Sequence, residues 1–248
     1  MTSSRLDDVR RFYALLDDLE RRSGGKRLLG HCHGRQSWPP RGVYFFFEPG
    51  EQRTTSGSSP RVVRVGTHAL KVGAKSKLWG RLRSHRGTVR GLRAGEGNHR
   101  GSVFRLHVGT ACLNQREWPE EVRHSWGVGS NAAKAIRDSE GALERAVSEH
   151  IAEMSLLWLE VNDPPGPESL RGYEERNSVA LLSNCKCSES SSVGAKLAPP
   201  IDPRSPRWLG RYAASERVRL SGLWNSDHVD DEHDPRFLDV VHHLVSMI

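Results

Sequence analysis

The sequence has no run of eighteen apolar residues, which excludes a conventional membrane-spanning helix. Its opening, MTSSRLDDVRR, lacks the apolar stretch of a secretory signal, so a cytoplasmic location with no membrane association is expected. Cysteine is scarce, at four in 248 residues, and its spacing forms no metal or redox pattern. Cys185 and Cys187 are separated by one lysine, Cys32 and Cys112 stand alone, and the adjacent His31, Cys32 and His33 do not readily converge on one ion. Trp126, Gly127, Val128, Gly129 and Ser130 lack the closing Gly-Lys-Ser/Thr of a phosphate loop, so no nucleotide site follows.

What is present is basic and glycine-rich. Hydrophobic residues make up 36%, with 24 Gly and 13 Pro, in a chain long enough to bury a core without staples. The net charge of +7 is unevenly placed: residues 61–105 hold twelve Lys or Arg against Glu96 alone, a local charge of +11, while the remainder is acidic on balance. A block of that density attracts phosphate backbones through counterion release. A solvated charged face is the bland reading of the same residues.

Periodicity gives a coarse map. Residues 4–23 read as a helix with Val9, Phe12, Leu16 and Leu19 on one stripe and Gly24-Gly25 as its stop. Residues 43–48 are aromatic and β-branched, a strand ended by Pro49 and Gly50; the polar residues 51–60 predict a hairpin back to a second strand from Val62 to Gly66. Ser76 is expected to cap a short helix carrying Leu78 and Leu82. Residues 87–101 read as a Gly/Arg-rich loop, 102–108 as a strand, 139–154 as a helix and 156–161 as a buried strand. A helix follows from near Pro167, then a Ser/Gly/Pro-rich stretch over 185–206 that reads as a linker or an exposed loop. A final amphipathic helix carries Phe237, Val240, Val241 and Leu244, with Asp234-Pro235 at its start.

The chain is organised around residues 61–86. Arg81 and His85 are four apart on the short helix, which puts them side by side on one face suited to an anion. In the predicted hairpin, Tyr44 and Arg64 can face the same cleft. The order Gly42-Val43-Tyr44, then Val65-Gly66, then Arg81 with His85, then Glu175 and Asn184 resembles the GIY-YIG endonucleases, most closely their restriction-enzyme-like bacterial branch. The resemblance covers residues 41–187 as a nuclease core, leaving 1–40 as an N-terminal helical extension and 188–248 as linker and C-terminal helical extension. Its departure is Arg64, which occupies the place where the family usually has its second tyrosine.

The resemblance implies an α/β (α+β) domain with a small, mostly antiparallel central sheet flanked by helices. It also implies an endonuclease acting on double-stranded DNA. Tyr44 would be the general base, with His85 assisting it or contacting phosphate. Arg81 and Arg64 would stabilise phosphoryl charge, Glu175 would bind Mg²⁺ or Mn²⁺ with Glu174 as its alternative, and Asn184 would position the helix or a nearby strand by hydrogen bonding. His68, Lys71, Lys75, Lys77, Arg83, Arg86, Asn98, His99 and Arg100 are the expected DNA contacts. Arg211, Arg217, Arg219, Trp224, Asn225 and His228 are possible additions. A restriction or defence role is expected, with a homodimer and a partner DNA methyltransferase as possible accompaniments. A repair or mobile-element nuclease and a catalytically silent DNA-binding module are the alternatives. Arg64 either aids Tyr44 or marks lost catalysis.

Overall fold

The computed structural model describes residues 4–88, 91–92, 94–188 and 199–248. In chain order they form α1 (Arg5–Ser23), β1 (Arg27–Leu28), β2 (Gly42–Gln52), β3 (Pro60–Gly66), α2 (Leu78–Arg86), α3 (Val103–Gln115), α4 (Glu120–Ser125), α5 (Lys134–Ser139), α6 (Gly141–Ala152), β4 (Ser155–Glu160), α7 (Leu170–Leu182), α8 (Cys185–Ser188), α9 (Glu216–Ser221) and α10 (Phe237–Ser246). The strands make one sheet in the order β1-β4-β2-β3, each neighbouring pair antiparallel. This is the expected α/β (α+β) architecture. None of the helices is long and apolar enough to cross a membrane, among the described residues.

The sheet is covered on both faces, which explains why the inner strand β2 reads Val-Tyr-Phe-Phe-Phe rather than alternating with polar residues. Val43, Phe45 and Phe47 face α1, α7 and α10; Tyr44 and Phe46 face α2, α3 and α6. Burying each such side chain stabilises the fold by roughly 1.5–3 kcal/mol. On the first side Phe12 of α1 meets Phe45 edge-on and Phe237 of α10 at a tilt. Helix α1 starts at Ser4, whose hydroxyl accepts the Asp7 N–H, and stops at Gly24 in the left-handed region at φ 80°.

The exposed edge of β3 is closed by residues from the far end of the chain. A register shift after the Phe46–Arg64 pair leaves the Val63 carbonyl to accept the Trp224 N–H at 2.7 Å. Beyond it, the Asn225 amide bonds both the N–H of Val65, at 3.1 Å, and its carbonyl, at 2.8 Å. The Trp208 and Trp224 indoles both donate to buried Glu48, at 2.9 Å each, fixing the same segment to β2.

Four sequence expectations need correction. β2 does not end at Pro49-Gly50 but continues to Gln52, because register irregularity between Phe47 and Gln52 takes up both residues. Residues 102–108 are not a strand: Ser102 caps α3, accepting the Arg105 N–H at 3.3 Å, and Phe104, Val108 and Ala111 lie on its buried side. Ser76 does not cap α2; Lys77 holds that position with no side-chain bond, and Ser76 lies 3.5 Å from His68 Nδ1. The stretch 185–206 is not all linker or exposed loop, since it opens with α8, and buried Asp202 accepts the backbone N–H groups of Thr54, Thr55 and Ser56. Arg90 and Arg93 of the basic block, the Cys187 side chain and residues 189–198 lie outside what is described.

Candidate active site

The hairpin fixes Tyr44 by exclusion of volume. Tyr44 pairs with Gly66 across β2 and β3, and a Cβ on Gly66 would overlap the Tyr44 hydroxyl and ring. One on Gly42 would overlap the Leu159 carbonyl of β4. Both glycines are therefore close-approach positions: one lets the phenol lie across β3 and the other lets β2 sit against β4.

The phenol meets the last turn of α2. Tyr44 Oη lies 2.9 Å from His85 Nε2, and His85 Nδ1 lies 2.8 Å from Ser102 Oγ at the start of α3. His85 is fully buried, and burial, then Arg81, Arg64 and Arg105, hold its pKa well below the ordinary histidine value. The ring is therefore neutral at neutral pH. In the tautomer that donates Nδ1–H to Ser102, Nε2 accepts the Tyr44 hydroxyl proton.

Three more groups converge from other elements. Arg64, on the same sheet face as Tyr44, packs 4.8 Å over the Phe104 ring and donates to the Trp224 carbonyl at 2.6 Å. Burial lowers its pKa, while Tyr44 and Glu175 favour its charge and Arg81 opposes it. Arg81 is half-buried, with Nη1 3.3 Å from the Gly101 carbonyl. Glu175 of α7 accepts the Thr67 N–H at 3.2 Å through Oε1. Burial raises the Glu175 pKa, against the pull of Arg64, His228, the Thr67 N–H and Arg81. Tyr44, His85, Arg64, Arg81 and Glu175 thus form one electrostatic neighbourhood built from β2, β3, α2 and α7.

Glu174 is in a different setting. It is 1% exposed, neither carboxyl oxygen has a hydrogen-bond partner among the described residues, and burial alone pushes its pKa up to about 8. Since no arginine among the described residues acts on it, it stands apart from the cluster that surrounds Glu175. Asn184 is not brought to Tyr44 either. Its Nδ2 donates to the Ile201 carbonyl and its Oδ1 accepts the Ile201 N–H, both at 2.9 Å, which ties the end of α7 to the returning chain.

The expected DNA contacts divide by exposure. Lys71, Lys75, Lys77, Arg83 and Asn98 are exposed. His68 and Lys71 line a cavity of about 540 Å³ with Thr67, Ser76 and Arg81. Arg83, Arg86 and Asn98 line another of about 710 Å³ on the other side of α2. His68 is buried and neutral, its pKa driven down to about 4 by burial and then by Arg171.

Three others make contacts within the fold. His99 is buried against Trp126, ring centroids 3.7 Å apart, with Nδ1 2.9 Å from Glu144. Arg100 makes a two-pronged pair with Glu140 at 2.6 and 2.8 Å. Arg86 donates to the Cys32 carbonyl and packs 5.0 Å over Trp79, leaving only its rim to the cavity.

A divalent cation fits at Glu175 in a limited sense. Among the described residues no group of three or more His, Cys, Asp or Glu side chains converges. Glu175 nevertheless presents a desolvated carboxyl with one oxygen, Oε2, that accepts no hydrogen bond among the described residues. One carboxylate completed by phosphate oxygens and water is a common way for Mg²⁺ or Mn²⁺ to be held.

Sequence reading missed several groups that position the site. Ser102 precedes residues that place Phe104, Val108 and Ala111 at helical spacing, a capping signal obscured by the short Phe104-Leu106 alternation. Thr67 acts through its backbone and carries no sequence signal. Arg171 ion-pairs with Asp163 at 2.6 Å and donates to the His68 carbonyl at 2.9 Å, bracing the turn beside Glu175. Its partners are eight and about a hundred residues away, so only the fold reveals them.

Residues 3–248 match the family model described as a GIY-YIG domain. No curated protein and no solved structure matches the chain.

Proposed function

Given that the chain belongs to the GIY-YIG domain family, a nuclease superfamily, we propose that it is a metal-dependent DNA endonuclease that hydrolyses phosphodiester bonds at Tyr44. The observation that carries the reading is the 2.9 Å contact between Tyr44 Oη and neutral, buried His85, with Arg64, Arg81 and Glu175 around it. Tyr44 takes a proton from the attacking water and passes its own to His85 Nε2, while Ser102 holds the opposite ring nitrogen. In the free protein the surrounding arginines oppose a charged His85. Phosphate bound against Arg64 and Arg81 offsets that charge and makes His85 a better proton acceptor in the complex.

Arg64 and Arg81 hold the phosphoryl oxygens as negative charge grows on them. Glu175 would hold Mg²⁺ or Mn²⁺, which when bound supplies Lewis-acid charge at the leaving oxygen. Lys71, Lys75, Lys77 and Arg83 contact the DNA backbone along the rim, and Asn184 acts at a distance by fixing the end of α7.

The finer reading is a restriction or defence enzyme of the bacterial restriction-like branch, cutting both strands as a homodimer and accompanied by a protecting methyltransferase. A repair or mobile-element nuclease uses the same site. A second reading, a silent DNA-binding module, comes from the departure at Arg64, which occupies the place where the family usually has its second tyrosine. The deciding experiment incubates a panel of plasmid and phage DNA with the protein and Mg²⁺ or Mn²⁺, beside Tyr44→Phe and Glu175→Ala. Discrete fragments from the wild type alone support the endonuclease. DNA bound but uncut by all three proteins selects the silent module.

A further inference from the structure

The C-terminal chain does more than close the edge of β3. Trp224 bonds Val63, its carbonyl takes the Arg64 guanidinium, and Asn225 clasps Val65. These contacts make the segment run alongside β3 in the same direction, so the residues after Asn225 advance toward Thr67, whose N–H holds Glu175. Three residues on stands His228, one of the groups acting electrostatically on the Glu175 carboxyl.

Its geometry is unusual in two ways. His228 has φ 63°, a left-handed backbone that few residues with side chains adopt. Its Nδ1 is held 2.8 Å from Asp231 Oδ2, while the side chain remains 42% exposed. The chain thus keeps an imidazole where glycine would be the easier residue, and orients it from behind by a carboxylate. Strain of this kind persists where the surroundings enforce it, and it concentrates at functional sites.

We propose that His228 is a DNA-phosphate ligand of the cleavage site, delivered to the Glu175 side of the cleft by residues 224–231, with Asp231 holding Nδ1 so that Nε2 meets the substrate. The site then has two flanks: Tyr44 and His85 act on the water, and His228 holds the phosphate beside Glu175, with Arg64 between them and anchored to the same segment. On this view the C-terminal segment is part of the active site and not a detachable recognition arm. The inference deepens the nuclease reading and rests on it.

The test uses the full chain and three measurements on wild type, His228→Gly and His228→Gln: the melting temperature, affinity for a short DNA duplex in Ca²⁺, and cleavage of the same duplex in Mg²⁺. Glycine removes the imidazole and relieves the backbone, so His228→Gly should melt no lower than wild type. It should bind the duplex about tenfold or more weakly, the scale of one lost hydrogen bond to a charged group, and cleave more slowly. Glutamine keeps an amide donor near the place of Nε2 and should recover part of the affinity. A His228→Gly protein that binds and cuts like the wild type overturns the proposal. So does one whose loss of affinity comes with a lower melting temperature, since His228 would then only shape the turn. If the wild type binds the duplex but cuts no DNA, the nuclease reading fails, and the affinity comparison still judges His228. If it binds no duplex at all, both fail.

Discussion

Replacing Glu174 by glutamine should stabilise the protein, and the gain should grow with pH. Glu174 is 1% exposed, its carboxyl oxygens have no hydrogen-bond partner among the described residues, and burial pushes its pKa from an ordinary 4.5 to about 8. The folded chain therefore holds a proton that the unfolded chain releases from about pH 4.5 upward. The stabilising effect of that proton is complete below pH 4.5 and is lost as pH rises toward 8, where the folded-state carboxyl itself ionises. Each pH unit in that window costs about 1.4 kcal/mol, so by pH 7 the wild type has lost about 3 kcal/mol that a neutral amide keeps. For a chain of this size that is a melting difference on the order of 10 °C between variant and wild type, largely absent near pH 4.5. Thermal or urea melts of both proteins at pH 5, 6, 7 and 8 measure it, and the difference between the two curves isolates this one group from the other titrations. A gap that does not change with pH would refute the reasoning, because Glu174 would then be solvated or paired.

Four other perturbations report on the site and its frame. Tyr44→Phe keeps the packing but removes the hydroxyl that meets His85, and single-turnover cleavage should fall by a factor of about 100 or more with little change in DNA affinity. Ser102→Ala loses both the His85 partner and the cap of α3; it should cost about 1 kcal/mol in a urea melt and slow cleavage, and an unchanged rate would remove Ser102 from the proton path. Asn225→Ala strips the side chain that satisfies Val65 on the β3 edge and should destabilise by about 2 kcal/mol. On the proposed contacts of exposed Lys71, Lys75, Lys77 and Arg83 with the DNA backbone, affinity should fall steeply between about 50 and 200 mM salt as counterion release weakens. An affinity flat over that range contradicts the backbone-contact assignment.

Much of the fold was legible because its helices and strands carry one clear period each. Val9, Phe12, Leu16 and Leu19 on α1 and Leu143, Val147 and Ile151 on α6 are spaced for one buried face, and all are buried. The run 102–108 misled because Phe104 and Leu106 alternate over too few residues to separate a strand from a helix; Ser102 as cap decided the matter. The charge block is legible only as composition. Composition registers that Arg86, His99 and Arg100 are cationic or polar, but not that a carbonyl, Glu144 and Glu140 already hold them.

Arg64 shows where sequence order stops being informative. As a residue in the place of a missing tyrosine it permits two opposite readings, an assisting cation or a decayed site. Its surroundings favour the first: the guanidinium interacts with both Tyr44 and Glu175, packs on Phe104 and is fastened to the Trp224 carbonyl. Burying a charge without partners is costly, so a site that had lost its chemistry would gain from an apolar residue at this position. The chain instead keeps the cation and anchors it with a segment 160 residues downstream. That coupling links the arginine to the segment that carries His228, and it predicts that Arg64→Leu and His228→Gly are non-additive in duplex affinity. Strict additivity in a double-mutant cycle would mean that the two act on DNA independently and that the segment serves only the edge of the sheet.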